Sequence, residues 1–288
     1  MNHIKEKCAS FLFLLAACAC ILAIVLICVF LFANGLSAMT EIGPLKFLLG
    51  REWKPGNNIY GILPMILGSM SVTAGAIVLG VPVGVLSAIF LAKFCPKPLH
   101  KIISPMVELL AGIPSIVYGF FGLVVLVPAV RELGRYFGVG GNGSSMLAAS
   151  VILGIMILPT IITVSESSIR AVPESYYEGG IALGATHEKS VFFIVVPAAK
   201  SGIFSSIVLG VGRAIGETMA VVMVAGNQAR MPTGLLKGIR TMTANIVIEM
   251  GYATDLHREA LIATGVVLFA FILVINLLFS ALRKKVRS

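Results

Sequence analysis

Charged residues are scarce: only 12% of the 288 residues are Asp, Glu, Lys or Arg, against about 25% in soluble domains, and 58% are hydrophobic. So little charge excludes a water-soluble globule and leaves an integral membrane protein. No G-x-x-x-x-G-K-[ST] phosphate loop occurs, so the chain gives no sign of binding ATP itself. Its four histidines are scattered and form neither a Ser-His-Asp arrangement nor a metal-ligand cluster, so no catalytic residue and no metal site are assigned and the chain does not read as an enzyme. Cys8, Cys18, Cys20 and Cys28 fall in or beside the first apolar run and Cys95 lies in a short basic loop, which excludes an extracellular disulfide framework. Basic residues are not interleaved with aromatics, so the net charge of +9 does not point to nucleic acid.

Continuous apolar sequence is what the chain has in abundance. About 20 apolar residues carry a helix across a bilayer, and the stretches 9–33, 62–92, 102–130, 146–164, 202–224 and 260–282 meet that length. Their hydrophobicity is continuous rather than alternating, which favours helices over a β-barrel. The expected fold is therefore all-α, with six transmembrane helices. The first run exceeds the 7 to 15 or so apolar residues of a cleaved signal peptide and ends without a clear A-x-A site, so it reads as a retained helix. Trp53 and Tyr60 read as anchors in an interfacial belt. The connection 226–258 has a helix-like centre at 236–250 and is placed to meet an external protein.

Cation placement orients the spans. With the N-terminus inside, the cytoplasmic side holds Lys5, Lys7, Lys93, Lys97, Lys101, Arg170, Lys189, Lys200, Arg283, Lys284, Lys285 and Arg287. The other side holds Lys46, Arg51, Lys54, Arg131, Arg135, Arg230, Lys237, Arg240 and Arg258, spread over longer connections. Both termini are expected in the cytoplasm.

Three formal charges fall deep within the spans: Glu108, Arg213 and Glu217. Each costs about 2.5 to 3.5 kcal/mol at a helix centre on insertion scales, so each is a functional candidate. Arg213 and Glu217 stand four apart, on one face of a continuous helix. They either neutralise each other and fix packing, or face a permeation path where Arg213 offers a fork of donors to a tetrahedral oxyanion. Glu108 precedes Gly112 and Pro114, which loosen a helix, and either lines an inner vestibule or caps backbone groups there.

Between the fourth and fifth runs lies Glu178-Gly179-Gly180-Ile181-Ala182-Leu183-Gly184, followed by Ile194-Val195-Val196-Pro197. Glu178, Gly184, Ile194 and Pro197 match the spacing of the EAA loop of bacterial ABC importer permeases; Gly179 and Gly180 replace its alanines and Val196 its leucine. Around the intramembrane pair, Gly212-Arg213-Ala214-Ile215-Gly216-Glu217-Thr218-Met219-Ala220-Val221 resembles the signature of the phosphate-specific (Pst) permeases, on their PstC branch. Glu108 to Gly119, Ile157-Leu158-Pro159-Thr160 and Glu166 with Ala171-Val172-Pro173 agree with it. The resemblance covers about residues 50 to 280.

That resemblance implies a type I ABC importer permease (MetI-like) fold: a first helix and outer loop in 1–59, then a transmembrane domain in 60–288 with a cytoplasmic coupling loop at 166–200. It implies import of inorganic phosphate across a bacterial cytoplasmic membrane by alternating access. The implied partners are a PstA-like permease, a PstB-like ATPase dimer that binds the ATP, and an external PstS-like phosphate-binding protein, with lipid around the spans and no cofactor in the chain itself. Another oxyanion (molybdate or sulfate), or an ion-coupled carrier using Arg213 and Glu217, are the readings weighed against it.

Overall fold

A computed structural model of the chain describes residues 2–138 and 140–287, without the side chains of 2–5, 8 and 282–287. The orientation signals of Lys5, Arg283, Lys284, Lys285 and Arg287, and Cys8, therefore lie outside the described side chains. In chain order the elements are α1 (Asn2–Ile42), α2 (Pro44–Leu49), a hairpin of β1 (Trp53–Lys54) and β2 (Ile59–Tyr60), then α3 (Leu63–Ile89). The chain continues with α4 (Lys97–Gly112), α5 (Ser115–Phe121), α6 (Val127–Tyr136), α7 (Met146–Arg170), α8 (Glu174–Ala182), α9 (His187–Ser190) and α10 (Val196–Ala198). It ends with α11 (Lys200–Gly216), α12 (Met219–Val224), α13 (Met242–Glu249) and α14 (Asp255–Arg287). Wider π-turns extend α3 at Phe90–Phe94, join α5 to α6 at Gly122–Leu126 and join α9 to α10 at Val191–Val195.

Helix α7 is the frame. Ser145 starts it, its hydroxyl oxygen accepting from the Ala148 N–H at 3.2 Å. Its buried Ile152, Leu153, Met156, Ile157 and Ile161 pack against α3 on one side and α11 on the other. Two apolar helices gain nothing from leaving water inside a bilayer, so close packing of small residues holds them together. A Cβ on Gly80 would come within 2.8 Å of the Gly154 carbonyl oxygen and 2.9 Å of Ile157, and one on Gly75 would strike Ser150. Helix α1 stands outside this frame, most of its apolar side chains exposed, and packs mainly along α14, with Ala38 near its end buried against the Trp53 cluster.

Among the described residues, five helices are long and apolar enough to cross a membrane: Ala9–Ile42, Leu63–Phe94, Ser115–Tyr136, Met146–Arg170 and Asp255–Ala281. His187–Ala198 and Lys200–Gly216, bent by 68° from each other, add a sixth when the pair is counted as one span by length and composition. Two boundaries differ from the sequence reading. The third crossing is Ser115–Tyr136 rather than 102–130, because Pro114 forces Ile113 into extended backbone (φ −68°, ψ 126°) and detaches α4 as a separate helix. The fifth apolar run, 202–224, is not one helix: α11 stops at Gly216 and α12 restarts at Met219.

Trp53 and Tyr60 do not form an exposed belt. They are 6% and 4% exposed and pack edge-to-face on each other, with His257 against both rings. The indole N–H of Trp53 donates to Glu249 at 2.7 Å, so a buried polar partner has drawn the ring inward.

Gly80→Val is expected to destabilise the purified protein by about 1 to 3 kcal/mol by overpacking the α3–α7 contact. Gly56→Ala, where a Cβ meets nothing within 4 Å, is the control. Thermal unfolding in detergent checks it; equal midpoints for the two variants would contradict the close-packed frame.

Candidate functional site

The break between α11 and α12 sets the site. Glu217 leaves the helix in extended backbone (φ −67°, ψ 135°), and its Oε1 accepts from the N–H groups of Thr218 at 3.0 Å and Ala220 at 3.2 Å. It thereby satisfies donors that the start of α12 would leave orphaned. Glu217 and Arg213 consequently form no ion pair, against the one-face expectation, since the i, i+4 rule holds only within a continuous helix. Arg213, on the last turn of α11, is exposed, and among the described residues its guanidinium makes no hydrogen bond or ion pair.

A second break faces the first. Tyr118 on α5 donates its hydroxyl to the Leu110 carbonyl at 2.8 Å, bridging the Ile113–Pro114 interruption. Helices α5 and α12 pack together: a Cβ on Gly119 would meet Ala220 Cα at 2.9 Å and Met223 Sδ at 2.8 Å. Packing of α5 on α12 thus sets the two interruptions near each other, with Arg213 one turn before Glu217. Glu108 sits on α4, exposed, about a turn and a half before the second break, and no hydrogen bond or ion pair among the described residues joins it to Arg213 or Glu217.

At the opposite end from Trp53, the EAA-like stretch folds into short helices. Pro173 precedes α8, Gly184 turns the chain in left-handed backbone (φ 84°), and Thr186 caps α9, accepting from the Lys189 N–H at 3.4 Å. Gly180 is buried where a Cβ would lie 2.7 Å from Ser190 Oγ and 2.6 Å from Ile194 Cδ1. The motif's Gly180 and Ile194 therefore meet. Glu178, Gly179, Gly184 and Pro197 are exposed, and a Cβ on Gly179 meets nothing. The tip is less polar than its sequence: Leu183 is 91% and Phe193 77% exposed. Lys93 pairs with Glu174 at 3.0 Å and Tyr177 hydrogen-bonds His187 at 2.8 Å, which ties the loop to itself and to the turn after α3. The backbone N–H at Glu188, then the Thr186 hydroxyl, holds the Glu188 carboxyl below its usual range.

Two buried carboxylates, Glu166 and Glu249, are not among the site residues expected from the sequence, although Glu166 falls in a stretch that carries the resemblance. Glu166 accepts Arg170 Nε at 2.8 Å and contacts His100 Nε2 at 2.6 Å, while Arg170 also donates to the Leu91 carbonyl at 2.8 Å. Arg170 four residues on is the one available signal for that pair. Glu249 gathers Trp53, Arg240 Nη1 at 2.5 Å and His257 Nε2 at 2.9 Å. Its partners are scattered along the chain, and no spacing rule announces them.

A family model described as binding-protein-dependent transport system inner membrane component matches residues 80–288. The chain belongs to this family. Among the relatives of this inner membrane component, the "Probable ABC transporter permease protein YqgH" of Bacillus subtilis (strain 168) is 39% identical over 285 residues, covering 95% of this chain and 90% of that one. The "Phosphate transport system permease protein PstC" of Mesorhizobium japonicum is 37% identical over 270 residues, covering 87% and 82%. In fold, this inner membrane component is similar to a chain of the MetNI methionine ABC transporter (TM-score 0.62, 18% identity, 82% of this chain and 99% of that one). A chain of a bacterial alginate ABC transporter matches with TM-score 0.66 at 16% identity, covering 94% of each. The MetI-like permease fold is thus shown, and the chain is a non-catalytic membrane component of a transport system.

Within the loop, Gly179→Ala is expected to leave the protease resistance of 174–200 unchanged, while Gly180→Val opens it by displacing Ser190 and Ile194. Limited proteolysis of the two variants checks this, and equal cleavage would refute the packed-loop description.

Proposed function

We propose that the chain is the permease subunit of an ATP-driven importer of inorganic phosphate. The observation that carries this is the 37% identity to a phosphate transport system permease across 87% of the chain. The partners in this reading are a PstA-like permease, a PstB-like ATPase dimer and an external PstS-like phosphate-binding protein, in a bacterial cytoplasmic membrane with both termini inside. That orientation puts the 174–200 loop in the cytoplasm, where exposed Leu183 and Phe193 offer apolar contacts to an ATPase. The Trp53 end then faces outward.

Phosphate is a tetrahedral oxyanion, and a guanidinium offers it two parallel N–H donors. Among the described residues, Arg213 has that fork free of partners, and it stands on the turn before the Glu217 break, where small backbone rotations move a side chain far. Glu217 acts on the path through the backbone, holding the start of α12. Alternating access is then a repacking of α5 and α12 about their breaks, driven through the loop by ATP-dependent closure of the ATPases.

In proteoliposomes holding all four subunit types, Arg213→Lys is expected to lower ATP-dependent uptake of labelled phosphate about tenfold with the complex still assembled, since Lys keeps the charge and loses the fork. Undiminished uptake would count against direct contact. Glu217→Gln keeps an oxygen for the Thr218 and Ala220 N–H groups and is expected to stay within about threefold of wild type, whereas Glu217→Ala loses the cap and most uptake. Equal uptake by the Gln and Ala variants would remove the capping role.

A further inference from the structure

The connection after α12 crosses the Trp53 end and then returns to the helix break. It leaves through Gly226 (φ 80°) and Asn227 (φ 52°) and re-enters as α13, whose N-cap Thr241 accepts from the Ala244 N–H at 3.2 Å. Thr243, only 6% exposed, donates its hydroxyl to the Glu217 carbonyl at 3.0 Å. With that proton committed, the 3.1 Å contact between the two threonine hydroxyls runs one way, from Thr241 to Thr243. The Met242 N–H donates to Ser69 Oγ at 3.0 Å and pins α13 to α3. Next to Thr241, Arg240 donates to Glu249, to Asn245 Oδ1 at 3.0 Å and to the Asn227 carbonyl at 2.9 Å. Bonded residues therefore run from the buried Glu249 cluster to the backbone of the break beside Arg213.

We infer that Thr243 is a positioning residue that couples the 226–250 segment to the Glu217 break. Glu217 is the C-cap of α11, so its carbonyl is among those at the helix end for which no N–H four residues on continues the ladder. Thr243 supplies the missing donor from an element on the outer side. Movement of that segment when an external protein docks then pulls on the break, and through it on Arg213. Without the hydroxyl, the break and the segment relax independently. The inference rests on the importer reading above.

The test uses the four-subunit complex in proteoliposomes and the ratio of ATP turnover with to without saturating phosphate-loaded binding protein. Thr243→Val, close in shape, is expected to lower that ratio about fivefold, and Thr243→Ser to restore it. A hydroxyl that only stabilised the fold would reduce assembled complex and both turnovers alike, leaving the ratio unchanged; that result, or a Ser variant no better than Val, overturns the inference. If the Val complex does not assemble, Thr243→Ser against Thr243→Ala makes the same comparison in smaller side chains, and equal ratios overturn it. A wild type that shows neither stimulation nor phosphate uptake refutes the importer reading and the inference with it, whereas a stimulated wild type with an equally stimulated Val variant refutes the inference alone.

Discussion

A helix that stops inside hydrocarbon strands backbone N–H and C=O groups where no water can reach them, at several kcal/mol for each group left bare. This chain interrupts two helices, between α4 and α5 and between α11 and α12, and three polar side chains serve those stops. Glu217 takes two N–H groups, Thr243 supplies the Glu217 carbonyl, and Tyr118 supplies the Leu110 carbonyl. With those groups satisfied, the breaks become stable features that need no continuous helix. Among the described residues, neither Arg213 nor Glu108 has a hydrogen bond or ion pair, and of the two Arg213 stands on the last turn before a stop.

The rest of the molecule divides into parts that pack too closely to deform and joints that do not. Gly75, Gly80 and Gly84 on α3 seat α7 at distances that leave no room for a Cβ, so these helices move together or not at all. The α5 and α12 segments are one to two turns long, each joined to its neighbour by a break or a π-turn. Short helices with interrupted hydrogen-bond ladders change orientation at lower cost than a helix of α7's length.

Much of this was legible in the sequence, for identifiable reasons. Long apolar runs announce spans because a bilayer imposes a minimum length, and the Glu178 to Pro197 spacing announced a folded loop. Pro114 was legible only as loosening a span that ran on through 102–130, although proline restricts the residue before it and here ends α4. The Gly216–Thr218 break carried no such mark: the residues on both sides are as apolar as a continuous span, and Arg213 with Glu217 mimicked an i, i+4 pair. Trp53 was misplaced because an indole suits both an interface and a buried hydrogen bond, and its partner Glu249 lies 196 residues away. Periodicity sees neighbours along a helix; it cannot see a carboxylate folded in from elsewhere.

The two buried carboxylates clarify what can move. Removing one partner from a buried, hydrogen-bonded ion pair costs about 3 to 5 kcal/mol, so such clusters tend to persist through a conformational change or to break only against a large driving force. Glu166 joins the start of α4, the end of α7 and the turn after α3; Glu249 joins the hairpin, the Arg240 segment and α14. The Glu166 cluster joins three elements and the Glu249 cluster, with its own α13, four; the second also reaches α12, because Arg240 donates to the Asn227 carbonyl and the Asn227 amide donates to the Val222 carbonyl. In the alternating access proposed for this chain, the rearrangement then falls first on the short helices and breaks around Arg213, where the hydrogen-bond ladders are interrupted.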